Sequence, residues 1–128
     1  MKLLLDTQIL LWAASGELPP DASRYIEDAS NTLLFSTASI WEVVIKNGLG
    51  RADFITDPVL LYSELIRAGY VELNITGRHV LFVSNLPMLH KDPFDRLLLA
   101  QAAFECVPLL TSDDTLAQYP GSLIIIKR

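Results

Sequence analysis

Several features that would each indicate a particular class of protein are scarce in this chain. It has one cysteine, Cys106, in 128 residues, which excludes a framework of disulfides within the chain. Its apolar runs fall short of the ~20 residues that cross a bilayer. Asp6 and Gln8 interrupt the apolar start that would otherwise suggest a signal peptide. Two histidines lack the spacing of zinc ligands. We therefore expect a cytoplasmic protein with no membrane partner and no zinc site.

An excess of basic charge is also missing. The chain has 10 Lys and Arg against 15 Asp and Glu, a formal net charge of −5. This balance argues against a broad basic surface that binds the nucleic-acid backbone. It does not exclude a nuclease, because metal-binding carboxylates add negative charge that bound cations offset. It also fits a partner protein that carries a basic segment.

What the sequence does contain is an alternation of strand and helix patterns over a chain that is 51% hydrophobic. No composition shift or repeat divides it, so we expect one domain over residues 1–128. The predicted strands are Lys2–Leu5, Thr32–Phe35, Tyr70–Ile75, Pro108–Thr111 and Ser122–Ile126. The predicted helices are Thr7–Ala14, Asp21–Ala29, Ser39–Asn47, the segment from Asp57 to about Ala68, Thr76–Ser84, Phe94–Glu105 and the turn Asp114–Gln118. This order predicts an α/β fold, a mostly parallel central sheet with helices on both faces.

Four acidic residues are each predicted to lie where a strand gives way to a helix. They are Asp6, Glu42, Asp95 and Asp113. If the strands are parallel, their carboxyl ends meet at one edge of the sheet, where open α/β proteins place their sites. Carboxylates gathered there repel one another unless a cation lies among them. Oxygen ligands suit Mg²⁺ or Mn²⁺, so the pattern predicts a site for a hard divalent metal.

Helix capping is the competing explanation for these carboxylates. Asp92 and Asp95 have the spacing of a capping pair, and Ser39 and Glu42 have the same spacing. Acidic side chains at helix N-termini gain about 0.3–1 kcal/mol each from the helix dipole. However, Ser, Thr or Asn would cap equally well. Four full carboxylates at such positions therefore favour a metal site.

A metal held by carboxylates has a natural use. A bound Mg²⁺ activates water and neutralises the charge that develops on a phosphodiester during hydrolysis. Hydrolysis of phosphodiester bonds is the simplest chemistry that fits the predicted site. Asp92 and Asp114 are close alternatives to Asp95 and Asp113, since a shift in helix phase would exchange their roles.

Four sequence blocks together resemble a known family. They are Leu4–Thr7, Ser39–Glu42, His90–Arg96 and Thr111–Asp113. They resemble the signature blocks of PIN-domain proteins, and most closely those of VapC-type toxins of bacterial toxin–antitoxin pairs. The likeness covers the chain from Lys2 to the last strand, and its most specific part is the block Asp92–Arg96 followed by Leu97–Ala103.

The resemblance implies a PIN-like fold and an Mg²⁺- or Mn²⁺-dependent endoribonuclease that a cognate antitoxin restrains. By position, Asp6, Glu42, Asp95 and Asp113 would be both the catalytic residues and the metal ligands. RNA as substrate, an antitoxin partner and a homodimer are implied in the same way. Gln8 departs from the family pattern, where a smaller polar residue is common.

Hydroxyl and basic side chains adjoin the four carboxylates. The hydroxyls of Thr7, Ser39, Thr111 and Ser112 are candidates to orient the carboxylates or the attacking water, although ordinary turn and cap roles explain them equally well. Arg96 is a candidate for contact with a substrate phosphate, assisted by His90 and Lys91, against the alternative of a solvent-exposed arginine. Lys46 is predicted to pair with Glu42 one helical turn away, and phosphate contact is its alternative.

Two other functions are consistent with parts of the pattern. A phosphoryl-transfer domain of receiver or haloacid-dehalogenase type also has an Asp after its first strand, but a phosphatase of that type needs a second Asp where Gln8 stands. A binding module that keeps the fold without catalysis is the other. Four retained carboxylates argue against it.

Overall fold

A computed structural model describes residues 1–49 and 56–127 of the chain. Its strands are β1 (Lys2–Leu5), β2 (Thr32–Ser36), β3 (Val71–Leu73), β4 (Leu109–Thr111) and β5 (Leu123–Ile125). Its α-helices are α1 (Thr7–Ser15), α2 (Pro20–Ile26), α3 (Thr37–Gly48), α4 (Pro58–Arg67), α5 (Gly77–Phe82) and α6 (Pro93–Glu105). Short 3₁₀ helices follow at Val83–Asn85 and Asp114–Gln118.

The five strands form one sheet in the order β3-β2-β1-β4-β5. Every pair of neighbours is parallel, so the predicted mostly parallel sheet is in fact entirely parallel. In the middle, Leu5 of β1 lies in register with Phe35 on one side and Leu110 on the other. The chain moves outward from β1 in one direction through β2 and β3, then resumes on the other side with β4. The carboxyl ends of β1 and β4 therefore border the switch point at which α/β folds place their sites.

Helices cover both faces of the sheet, as the alternating pattern predicts. Leu3 and Leu5 of β1 point to one face and pack in a core with residues of α1 and α4. Leu4 points to the other face, where the core is built largely from α6. Because β1 is buried on both faces, its sequence is a continuous apolar run rather than an alternating one.

Several predicted boundaries are wrong, and local polar contacts explain two of them. The second helix ends at Ile26 rather than Ala29, because the carboxylate of Asp28 accepts hydrogen bonds from the amide and hydroxyl of Ser30 and turns the chain. The third helix begins at Thr37 rather than Ser39, because the Ser36 hydroxyl accepts the amide of Ala38 and is the true N-cap.

The other differences concern length. The predicted strand Tyr70–Ile75 is only Val71–Leu73, and the predicted helix Thr76–Ser84 is divided into α5 and the 3₁₀ helix that follows. Within the described ranges, no helix is both long enough and apolar enough to cross a membrane.

Candidate active site

A cleft of about 430 Å³ opens at the edge of the sheet where β1 and β4 end. The four carboxylates selected from the sequence all contribute to its walls. The described residues that line it are Asp6, Thr7, Gln8, Leu11, Glu42, Lys46, Asp92, Asp95, Ser112 and Asp113. Five of these side chains are carboxylates and one is a lysine, so the cleft is strongly acidic.

Asp6 forms the floor of the cleft and is nearly inaccessible to solvent, with 5% of its surface exposed. One carboxylate oxygen accepts the amide of Ile9 at 2.9 Å and so caps α1, as one reading of the sequence predicts. The other accepts a hydrogen bond from the hydroxyl of Thr111 on β4. Burial raises the pKa of Asp6 to about 6, against the lowering effect of these hydrogen bonds.

Glu42 lies in the second turn of α3, also 5% exposed. Its Oε1 accepts the Thr7 hydroxyl at 2.7 Å, and its Oε2 accepts Nζ of Lys46 at 2.6 Å. Thr7 also lies 2.9 Å from the Ser39 hydroxyl. The predicted capping box of Ser39 and Glu42 is wrong, because the helix starts two residues earlier with Ser36 as its N-cap, and the Glu42 side chain lines the cleft instead. The predicted ion pair with Lys46 is present.

Asp95 lies in the first turn of α6. Asp92 caps this helix by accepting the amides of Phe94 and Asp95 at 2.8 and 3.1 Å. The carboxylate of Asp95 instead accepts a hydrogen bond from Nε2 of His90 at 2.8 Å. Burial raises the pKa of Asp95, with smaller contributions from Asp92 and Glu42, while His90 lowers it. Contrary to the sequence prediction, α6 follows a loop and not a strand.

Asp113 follows β4 and caps the 3₁₀ helix, accepting the amide and hydroxyl of Thr115 at 3.0 and 2.6 Å. Its other oxygen lies 3.9 Å from Nε2 of His90. Of the two alternatives in the sequence, Asp92 lines the cleft but uses one oxygen as a helix cap. Asp114 is exposed and is not among the residues that line the cleft.

The donor set suits a hard divalent cation. Carboxylate oxygens dominate it, and the pKa values of Asp6 and Asp95 are raised because burial opposes their ionisation. A cation in the cleft would remove that opposition. Within the described ranges, ligand atoms of His90, Asp95 and Asp113 all lie within 4.8 Å of one another. His90 is a member of this cluster that the sequence did not place among the ligands, although it precedes Asp95 by five residues in the same block.

Arg96 does not face the cleft, so the expected contact with a substrate phosphate is wrong for the described conformation. Only 9% of its surface is exposed. Its guanidinium donates to the carbonyls of Pro87 and Val83 at 2.9 and 3.3 Å and to the Tyr119 hydroxyl at 3.3 Å. Adjacent side chains on a helix point about 100° apart, so Asp95 and Arg96 lie on different sides of α6 and contact different groups.

Comparison with known proteins places this arrangement in a family. A family model described as "PIN domain" matches residues 3–122. Nearly the whole chain is covered, so the chain belongs to the PIN domain family, and its parallel sheet with helices on both faces is the PIN-like fold. Among curated protein sequences, none matches significantly.

Solved structures share the fold at low sequence identity. VapBC2 from Rickettsia felis, bound to a DNA fragment from its promoter, has a TM-score of 0.75 at 16% identity, covering 99% of this chain and 100% of that one. DNA-bound VapBC from Salmonella typhimurium has a TM-score of 0.70 at 12% identity, covering 98% of both chains. VapBC-5 from Mycobacterium tuberculosis, of the VapBC family of toxin–antitoxin systems, has a TM-score of 0.60 at 16% identity, covering 99% and 98%.

Proposed function

We propose that this chain is the toxin of a type II toxin–antitoxin pair, an Mg²⁺- or Mn²⁺-dependent endoribonuclease that hydrolyses RNA phosphodiester bonds. The observation that carries the proposal is the cleft itself. In a PIN-family chain, Asp6, Glu42, Asp95 and Asp113 line one cavity at the switch point of a parallel sheet. Burial raises the pKa values of two of these carboxylates, Asp6 and Asp95, and perturbed pKa values are typical of functional sites.

The four carboxylates are the residues that would hold the ion. When bound, a divalent metal would activate water and offset the negative charge that develops on the phosphodiester. The Thr7 hydroxyl, which follows β1, donates a hydrogen bond to the carboxylate of Glu42 and so orients it. The Thr111 hydroxyl orients Asp6 in the same way. These two hydrogen bonds orient Glu42 and Asp6 before any substrate binds, which is the arrangement that catalysis by preorganised groups requires.

A partner protein is the second element of the proposal. The chain's fold neighbours include VapBC complexes from several bacteria, which supports an antitoxin as the cognate partner. The acidic cleft and the net charge of −5 suit a partner segment that contributes arginine or lysine. A homodimer and a cytoplasmic location belong to the same proposal.

Cleavage of total cellular RNA by the purified chain tests the function. The reactions contain Mg²⁺, Mn²⁺ or EDTA, and they compare the natural chain with Asp95→Asn and Asp114→Asn. Asp114 is the matched control, since it is an exposed acidic residue that does not line the cleft. We expect discrete fragments from the natural chain and from Asp114→Asn, and none with EDTA or from Asp95→Asn.

Each other result has a definite meaning. Cleavage that persists in Asp95→Asn would place the activity outside this cleft or in a contaminant. A folded chain that binds Mg²⁺ and cleaves no RNA in the pool would contradict the ribonuclease and favour a binding module. Trapping of an aspartyl-phosphate analogue such as beryllofluoride on Asp6 would favour a phosphoryl-transfer domain.

A further inference from the structure

His90 stands between two carboxylates of the cleft. Its Nε2 lies 2.8 Å from Oδ2 of Asp95 and 3.9 Å from Oδ2 of Asp113. The side chain is half-buried, and the carboxylates come from different elements, α6 and the turn after β4. One ring nitrogen thus faces two independently positioned acids.

These separations resemble those between ligands that share one ion. Ligand atoms bonded to an octahedral ion at about 2.1 Å lie about 3 Å apart when adjacent and about 4 Å apart when opposite. We propose that His90 is a nitrogen ligand of the divalent ion in this cleft, together with Asp95 and Asp113. This inference rests on the metal site of the proposed function and adds a ligand to it.

The backbone that carries His90 is held on both sides. Upstream, the carbonyls of Val83 and Pro87 accept hydrogen bonds from the buried Arg96 of α6. Downstream, Asp92 is fixed as the N-cap of the same helix. The loop is therefore tied to the helix that carries Asp95, and these contacts hold the imidazole beside Asp95 and Asp113.

The imidazole has the right chemistry at the right atom. As a donor, Nε2 makes the hydrogen bond to Asp95. In the other neutral tautomer the proton is on Nδ1, and the same Nε2 presents its lone pair between the two carboxylates. Imidazole nitrogen binds transition ions far better than Mg²⁺, which prefers oxygen. His90 should therefore bias the site toward Mn²⁺ and away from Mg²⁺.

Pulsed EPR of the chain loaded with Mn²⁺ tests ligation directly. A directly bound imidazole gives a ¹⁴N hyperfine coupling to the Mn²⁺ electron spin. We expect this coupling in the natural chain and in Lys91→Gln, and its loss in His90→Gln. Lys91→Gln is the matched control, because it removes an exposed positive charge at the adjacent position.

Calorimetric titration of the same three proteins with Mn²⁺ and with Mg²⁺ measures the bias. Glutamine has a similar reach and offers an oxygen in place of the nitrogen. In His90→Gln the Kd for Mn²⁺ should rise about ten-fold or more, while the Kd for Mg²⁺ should change by less than about three-fold. Both constants should be nearly unchanged in Lys91→Gln.

Three results would overturn the inference. They are the absence of ¹⁴N coupling in the natural chain, an equal loss of affinity for both ions in His90→Gln, and tighter metal binding in that variant. The last would mean that His90 acts only as a positive counter-charge to Asp95. Failure of the proposed function is distinguishable, since it would leave the ¹⁴N coupling intact in a chain that cleaves no RNA.

Discussion

Thr111 donates a hydrogen bond to the carboxylate of Asp6, although 105 positions separate the two residues in the chain. Asp6 follows β1 and Thr111 ends β4, and these are adjacent strands of the sheet. Both side chains are buried. The hydrogen bond from Thr111 stabilises the ionised form of Asp6, whereas burial opposes its ionisation and is the larger effect.

The stability of the metal-free protein should depend on pH through Asp6. The pKa of Asp6 is 3.8 when unperturbed and about 6 in the folded protein. Between these two pH values the folded state therefore binds more protons at Asp6 than the unfolded state does. The free energy of unfolding therefore falls as pH rises from about 4 to about 6 and is constant with respect to this group above that range. Asp6→Asn should lack this fall. Relative to the natural chain it should gain on the order of 2–3 kcal/mol between pH 4 and 7.

Urea unfolding in EDTA across this pH range measures the difference. Asparagine caps helices as well as aspartate, so the capping of α1 is retained. Asp57→Asn provides a control of the same kind, because Asp57 is an exposed N-cap of α4. A difference between Asp6→Asn and the natural chain that stays constant with pH would contradict the assignment.

Thr7 should act as a positioning residue for Glu42. Thr7→Val has nearly the same shape and removes the hydroxyl that lies 2.7 Å from Oε1 of Glu42. Thr7→Ser keeps that hydroxyl. We expect kcat/KM for RNA cleavage to fall about 10- to 100-fold in Thr7→Val and to be largely restored in Thr7→Ser. The Kd for Mn²⁺ and the free energy of unfolding, both measured on the same proteins, distinguish a loss of positioning from a loss of stability. Equal activity in both variants would show that the hydroxyl has no such role.

Lys46 and a divalent cation should compete for Glu42. Nζ of Lys46 lies 2.6 Å from Oε2 of a carboxylate that is almost fully buried. Lys46→Met should destabilise the metal-free protein by about 1–2 kcal/mol, less than a fully buried pair because Lys46 is partly exposed to solvent. Saturating Mg²⁺ should then raise the melting temperature more in this variant than in the natural chain. Lys46→Arg keeps the cation and is the control, and an identical Mg²⁺ effect in all three proteins would contradict competition.

Arg96 should contribute to stability and not to RNA binding. Arg96→Met removes the hydrogen bonds to the carbonyls of Val83 and Pro87, of which the Val83 carbonyl still accepts the amide of Leu86. We expect the free energy of unfolding to fall by about 2–4 kcal/mol. Tyr119→Phe removes only one long hydrogen bond to the same guanidinium and should cost less than about 1 kcal/mol. Urea unfolding and RNA binding with Ca²⁺ in place of Mg²⁺ measure both properties. Loss of RNA affinity without loss of stability would reverse the assignment.

The architecture was accessible from sequence because its signals are local and repeated. A continuous apolar run such as Leu3–Leu5 predicts a strand buried on both faces, and alternation with helices predicts parallel strands. Parallel strands in turn predict that side chains after β1 and β4 lie at one edge. The cleft follows from that reasoning, while the catalytic and metal-binding roles of its carboxylates remain predictions.

What sequence could not supply was the choice between neighbouring residues. Ser36 and Ser39 are both good N-caps, and only the length of β2 decides that Ser36 is used. Arg96 has the appearance of a substrate contact, but helix phase directs it into the protein. His90 lies in a loop without periodicity, so its approach to Asp113 depends on tertiary packing that no local pattern encodes.

The order of strands in the sheet also makes the cleft a product of the whole fold. Asp6 follows β1 and Asp113 follows β4, so the sheet brings together residues that are 107 positions apart in the sequence. β1 lies between β2 and β4, and β4 in turn lies between β1 and β5. The cleft therefore cannot assemble before β4 has paired with β1, and local opening of that one strand pair would separate the carboxylates from one another.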